Sequence, residues 1–472
     1  MTELIGRTLH RLGLQLPGRL SLPGDDGYAA ATAIWPKPVG TMPRAVAHCQ
    51  TPEDVQSAIR AARDCDLSLS VRGGGHDWAG RALCDGLVID LRGMHRIEVY
   101  RENCTARVGG GARASAVLNA AGPRDLAAVT GSVGSVGVTG LTLGGGYGPL
   151  IGRFGLALDN LLAAEVVLAD GRIVTAMPGR EEELFWALRG GGGNFGVVTE
   201  MHIQLHHLSS VRSGMLIYPF AEAKAVLERY ADVVNSAPDG LTAQVGFVAG
   251  ADGAPVVLVV PTWCGSPVDG EAQVAPFLKL GTLLAGAVET RSYAASLTAF
   301  DSYIVNGQPV TMQTCSVPAL DSISIDAVIQ AMETAVSPGC AIFTHEFKGA
   351  ASRILAGATA FGLRRDHVLI EILATLPDRG DDLEQQRHRK WAREALRAFD
   401  AVALPGGYPN LLGKGEPDRA LKSYGSNAER LIKAKRRYDP DNVFRSAIPL
   451  PIGESEGRPA RGLSIRHPIP FG

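Results

Sequence analysis

The glycines of this chain fall in three dense clusters, and that distribution limits what it can fold into more than any other feature. The clusters are VRGGGHDWAG at 71–80, GSVGSVGVTGLTLGGGYG at 131–148 and LRGGGGNFGVVTE at 188–200. They concentrate an excess of 57 glycines in 472 residues, where an average protein carries about 7%. Glycine loses more conformational freedom on ordering than any other residue, so a run of it marks a place where the backbone itself must approach something closely. Successive N–H groups curved around such a loop hold an anion without side-chain charge. Three loops of this kind, each leading into a strand, point to one extended ligand that carries a pyrophosphate.

The common phosphate loops do not fit. GGGYGP has no lysine where a P-loop needs one. No GxGxxG lies between a first strand and a helix with an acidic residue about 20 positions further on, as a nicotinamide-binding Rossmann unit requires. FAD held in another fold is what remains.

The surrounding pattern is that of an α+β chain. PEDVQSAIRAARDCD (52–66) has helical periodicity with Pro52 in its first turn; LSLSV, GLVIDLRG and RIEVY read as strands. AAEVVLADGRIVTA reads as a hairpin around Asp170–Gly171. Beyond about residue 206 the glycine density drops. There AEAKAVLERYADVVNSAP and DDLEQQRHRKWAREALRAFD read as helices, and APVVLVVPTW, IFTHEFKGA and DHVLIEILATL as strands. A chain of this length exceeds one ordinary core. The expected units are 1–205 for the ligand loops, 206–405 as a second domain, and 406–472 as a segment returning to the first.

Bulk properties narrow the function by exclusion. The formal net charge of −2 gives no footprint for nucleic acid or an anionic membrane. The seven cysteines form no CxxC pair, so buried thiols in a reducing compartment are expected, with no metal site. The first twenty residues lack a basic segment followed by an apolar one, and no uncharged run approaches the ~18 residues of a membrane span. A cytoplasmic location, without nucleic-acid or membrane partners, is the expectation; the oligomeric state is not readable.

Taken together, VRGGGHDWAG, GVTGLTLGGGYG, GLALDN, LFWALRGGGGNFGVVTE and RRYDPDNVF resemble the berberine-bridge-enzyme-like oxidases, FAD-linked enzymes of the vanillyl-alcohol-oxidase fold. The resemblance covers about 40–205 and 405–445 and is nearest to bacterial members. It implies a two-domain PCMH-type FAD-binding fold: a mixed-sheet flavin domain, and a substrate domain with an antiparallel sheet flanked by helices. It implies covalent FAD, bonded at the flavin 8α-methyl carbon to the histidine after the glycines, here His76. A second link in many relatives comes from a cysteine; that position is Val133 here, so a single bond is expected. Around the cofactor the resemblance places Val71, Arg72, Gly73, Gly74, Gly75, Gly131, Ser132, Val136, Gly137, Gly140, Leu141, Gly145, Tyr147, Gly148, Asn160, Gly196 and Val198. A small valine at 136 goes with O2 as electron acceptor.

For the reacting groups, GGYPNLLGKGEP matches a Y-x-N segment and makes Tyr408 the candidate base or orienting group and Asn410 its hydrogen-bond partner. Leu411, Lys414 and Ala447–Pro449 depart from the family's residues. On 342–350, Thr344, Glu346 and Lys348 share one strand face, and Glu346 or Lys348 is weighed as a charged group above the ring against a solvated polar face. Trp78 and Arg189 are weighed as ring-border and phosphate contacts against packing roles. The expected activity is an oxidase that takes hydride from a C–OH or C–N bond of a small organic substrate to flavin and passes the electrons to O2. The likeness to members that oxidise hydroxylated nicotine leans towards amines; Tyr408 as a base leans towards alcohols. A tailoring dehydrogenase or oxidative cyclase, and a non-catalytic flavin binder, are the rival readings.

Overall fold

The computed structural model describes residues 2–37, 40–298, 306–377, 382–448 and 450. Three large sheets organise them, and Leu126–Ala127 and His206–His207 form a fourth of two short strands. The first has four strands, in the order Leu20–Ser21, Ala45–His48, Leu87–Asp90, Leu69–Arg72. Its last three strands run parallel, and the crossover helix Pro52–Asp64 covers them. That helix starts where the sequence places it because Thr51 and Asp54 form a capping box and Pro52 needs no N–H partner in the first turn. Its Val55, Ala58, Ile59 and Ala62 bury one face against the sheet, and Leu12 and Leu16 of the N-terminal segment close the layer.

The second sheet is antiparallel, in the order Ile97–Tyr100, Thr105–Gly109, Gly196–Gln204, Leu161–Leu168, Ile173–Ala176. The hairpin at Asp170–Gly171 forms, with Gly171 at φ 87° and the Asp170 carboxylate accepting the Arg172 N–H. The second glycine cluster is more than a loop: Val138–Gly144 is a short helix.

The third sheet is antiparallel with nine strands. Its central run is Leu216–Pro219, Pro255–Trp263, Leu241–Ala249, Cys340–Phe347, His367–Thr375, Val310–Val317. Helices Ala223–Asn235, Ser322–Glu333 and Asp382–Arg397 bury Tyr230, Val328 and Trp391 in a common core with Phe247, Ile342 and Ile370 of the sheet. The opposite face of this sheet roofs a cavity. After residue 408 the chain returns to the first part: Tyr424 and Leu431 join the core that contains Phe195 and Val198. The molecule has the α+β, two-domain PCMH-type architecture.

Candidate active site

A cavity of about 1430 Å³ lies between the glycine loops and the third sheet. An ordinary small-ligand pocket occupies ~300–1,000 Å³, so this one has room for more than a single ligand of that size.

The first wall is the turn after strand Leu69–Arg72. Val71, Gly73, Gly74, Gly75 and His76 line the cavity. A Cβ on Gly74 would lie 2.4 Å from the Gly137 nitrogen, and one on Gly137 would lie 2.5 Å from the Gly74 nitrogen. The first two glycine clusters therefore touch backbone to backbone, which no side chain at either position allows. Gly75 has φ 72°, and its carbonyl accepts the Trp35 N–H at 2.9 Å. The His76 ring then stacks on Trp35, with centroids 4.8 Å apart and planes at 16°. Trp35 was not singled out in the sequence; it sits 41 positions from His76, outside every glycine motif.

Gly131, Ser132, Val133, Val136, Gly137, Gly140 and Leu141 form the second wall. Gly196 and Val198, from the strand that leaves the third cluster, line the cavity as well. That cluster is tied to the second, because Gly190 and Gly192 both donate their N–H to the Leu143 carbonyl at 2.9 Å. It is tied to the C-terminal segment through Lys435, which is buried and bonds Asp439 Oδ2 (2.5 Å), the Asn194 carbonyl (2.8 Å) and the Phe444 carbonyl (3.1 Å). This buried pair is the physical content of the RRYDPDNVF motif.

The floor is Tyr408, Asn410 and Tyr147. Tyr408 Oη accepts the Gly146 N–H and an Asn410 Nδ2 hydrogen, each at 2.9 Å. Asn410 Nδ2 also donates to the Leu141 carbonyl at 2.9 Å. A Cβ on Gly144 would lie 2.0 Å from Asn410 Oδ1, and one on Gly145 would lie 2.6 Å from the Tyr408 ring. The strip GGGYG is bare because Tyr408 and Asn410 rest on it. The Tyr147 and Tyr408 rings meet at 4.4 Å. Burial pushes the Tyr408 phenol up to about 12, against the Gly146 N–H and the Asn410 amide. The phenol is therefore neutral at pH 7. With the Gly146 N–H and the Asn410 amide donating to its oxygen, the phenol is held in one orientation at the floor of the cavity.

The C-terminal segment is pinned onto the His76 loop. Trp78 Nε1 donates to the Leu411 carbonyl at 2.8 Å, and Arg81 donates to the Asn410 carbonyl at 2.9 Å. Trp78 is thus a tie between segments and not part of the cavity wall. Leu411, Ala447 and Ile448 do line the cavity, whereas Lys414 is exposed; Pro449 lies outside the described residues.

Several sequence candidates have other duties. The Arg72 guanidinium turns away from the cavity and bonds the carbonyls of Ala30, Ala31 and Ala33 at the end of helix Asp26–Thr32. Asn160 donates to the Phe154 and Leu156 carbonyls and meets His206 Nε2 at 2.6 Å, so it braces a turn. Gly148 packs on the Thr130 carbonyl, which a Cβ would approach to 1.9 Å. Arg189 stacks over Phe185 and donates to the Ala358 carbonyl, with no place in the cavity. In each case a polar or bare residue near a motif serves the frame that carries the motif.

The roof overturns the expected strand face. Thr344 and Glu346 point into the layer beneath helix Ala223–Asn235, where the Tyr230 hydroxyl meets Glu346 Oε1 at 3.2 Å and burial pushes the carboxyl up to about 7. Lys348 Nζ bonds the Val234 carbonyl. Thr344 and Glu346 are buried and Lys348 half-buried, and none of the three lines the large cavity, although Glu346 borders a smaller recess beside Tyr147. The alternate residues face the cavity: His345 Nε2 lies 3.1 Å from Glu371 Oε1 and 3.3 Å from Gln244 Nε2, and all three line it. Alternation itself is legible in the sequence; which face meets the helices is not.

The walls suit FAD on their own evidence. Bare backbone lines one side where a Cβ has no room, and three lining residues carry a buried donor, Trp35 Nε1, Arg81 Nη1 and Thr139 Oγ1, that has no partner among the described residues. Among the described residues no group of three His, Cys, Asp or Glu is placed to hold a metal, and no helix is long and apolar enough to cross a membrane.

Residues 43–177 match the family model of an FAD binding domain, and residues 407–451 match that of berberine and berberine-like proteins. The chain is 30% identical over 431 residues to the FAD-linked oxidoreductase aurO of Gibberella zeae, covering 89% of this chain and 82% of that protein. It is 30% identical over 447 residues to (R)-6-hydroxynicotine oxidase of Paenarthrobacter nicotinovorans, covering 92% and 96%. The crystal structure of 6-hydroxy-D-nicotine oxidase from Arthrobacter nicotinovorans superposes with a TM-score of 0.82 at 29% identity, covering 92% of this chain and 98% of that one. With two family models in chain order and a full-length relative at this identity, the chain belongs to the berberine-bridge-enzyme-like, FAD-binding oxidoreductases.

Proposed function

We propose that this enzyme is an oxidase that removes hydride from a C–OH or C–N bond of a small organic substrate, with O2 as the final acceptor and H2O2 as product. Bound FAD supplies the two-electron chemistry. The observation that carries the reading is the pairing of a glycine-walled cofactor wall with a separate polar cluster, Tyr408, Glu371 and His345, on the other sides of one cavity.

His76 is proposed as the single covalent anchor, with its ring held by Trp35. None of the seven cysteines lines the cavity, and Val133 stands where a second anchor would. Tyr408 donates its phenolic hydrogen to the substrate heteroatom or the cofactor edge, and Asn410 fixes the phenol. Glu371, bonded to His345, takes the substrate O–H or N–H proton. Val136 keeps one side of the cofactor wall small, which suits access by O2.

The test is peroxide release from purified yellow protein offered a panel of secondary amines and alcohols. Peroxide in proportion to substrate supports the reading. If the flavin is reduced by substrate yet reoxidises in air over minutes, the enzyme is a dehydrogenase.

A further inference from the structure

We infer that the substrate has a planar, apolar body and a single polar end, and that oligosaccharides are excluded; this rests on the oxidase reading above. The roof sheet sends alternate side chains into the cavity, two residues apart along each strand. Its polar cavity-facing side chains gather in one corner: Gln244, His345 and Glu371. That corner adjoins the floor, since Gln244 and His345 line both the large cavity and a smaller recess together with Tyr147.

Away from the corner the same face is aliphatic and aromatic. Ile217, Leu258, Met312 and Leu373 project into the cavity from four different strands. Thr375, at the last position of its strand, is the exception within these strands, and Gln308 and Asp252 line the cavity from the adjoining loops. Phe343 faces the cavity opposite Gly246, and a Cβ at 246 would lie 2.8 Å from the Phe343 ring. The ring therefore lies down across a bare backbone, and a flat apolar platform results. A planar body stacks on such a platform.

A sugar chain carries hydroxyls along its whole length. Against this roof most of them would leave water without a partner, which a binding site does not tolerate. The corner has polar groups for one or two heteroatoms, enough for the reacting end of an otherwise apolar molecule.

The test titrates the holoenzyme with 2-naphthol and with cellotriose, following the flavin absorption band, and repeats the titration calorimetrically at several temperatures. Saturable binding of 2-naphthol with a negative heat-capacity change, and no response to cellotriose, is expected. Leu258→Gln is expected to weaken 2-naphthol about tenfold, the order of one partly buried apolar side chain, with flavin content unchanged. Binding of cellotriose, absence of 2-naphthol binding, or a Leu258→Gln variant that binds 2-naphthol as tightly as the parent would each overturn the inference. Air reoxidation of the dithionite-reduced enzyme without ligand reads the oxidase assignment separately: if it is slow, that assignment fails and the ligand class stands.

Discussion

Tyr147 donates its phenolic hydrogen to Nε2 of His367 across 2.7 Å, while Nδ1 of the same imidazole donates to the Arg365 carbonyl at 2.7 Å. A carbonyl can only accept, so Nδ1 carries the ring hydrogen and Nε2 is left to receive. Burial pushes His367 down to about 4, which keeps the ring neutral. The pair fixes the Tyr147 ring against Tyr408 at the cavity floor.

His367→Phe would leave the buried Tyr147 hydroxyl without its acceptor and should cost about 1–3 kcal/mol in denaturant unfolding. The sign with pH follows from the depressed value. The stabilising preference of His367 for its neutral form is fully present above ~6.5 and is lost as pH falls towards 4. The parent should therefore lose stability between pH 7 and pH 4 by more than the Phe variant does, and equal losses would contradict the pairing.

Tyr408→Phe keeps the ring packing on the glycine strip and removes the oxygen that receives Gly146 and Asn410. Turnover should fall at least about tenfold, the scale of one lost positioning hydrogen bond, with flavin content unchanged. Full turnover in the variant would reduce Tyr408 to a packing residue.

Gly74→Ala should abolish flavin incorporation, because its methyl would meet the Gly137 backbone at 2.4 Å and backbone cannot move aside as a flexible side chain can. Colourless folded protein, judged by circular dichroism and absorbance, is the expected result. Normal flavin content would show that the two loops do not meet as described.

These outcomes trace how far the sequence was informative. Glycine density exposed the cofactor wall, and its reason became plain only as pairs: Gly74 against Gly137, Gly145 beneath Tyr408. Local periodicity placed the helix Pro52–Asp64 and the strand Cys340–Phe347 near their observed bounds. What local pattern cannot carry is which face of a strand meets helices and which meets a cavity. Glu346 and His345 are adjacent in sequence, and tertiary packing alone sends one to Tyr230 and the other to Glu371. Trp35 was invisible for a similar reason: its stacking on His76 joins two segments with no common motif.

Glu346 gives a second pH signature of opposite sign. Burial raises this carboxyl to about 7. Its stabilising contribution is present below ~4.5 and is lost as pH rises through about 7, a change of up to ~3 kcal/mol. Glu346→Gln should therefore gain stability relative to the parent at pH 8 and not at pH 4.5. Parallel melting curves at the two pH values would refute the buried placement.

The central claim is that FAD is anchored through His76, and the intact mass of acid-denatured protein tests it most directly. One FAD should remain on the polypeptide, and His76→Ala should return the mass of the bare chain with free flavin in the supernatant. Wild-type protein at the bare-chain mass, with all its yellow colour released by acid, would contradict the anchor.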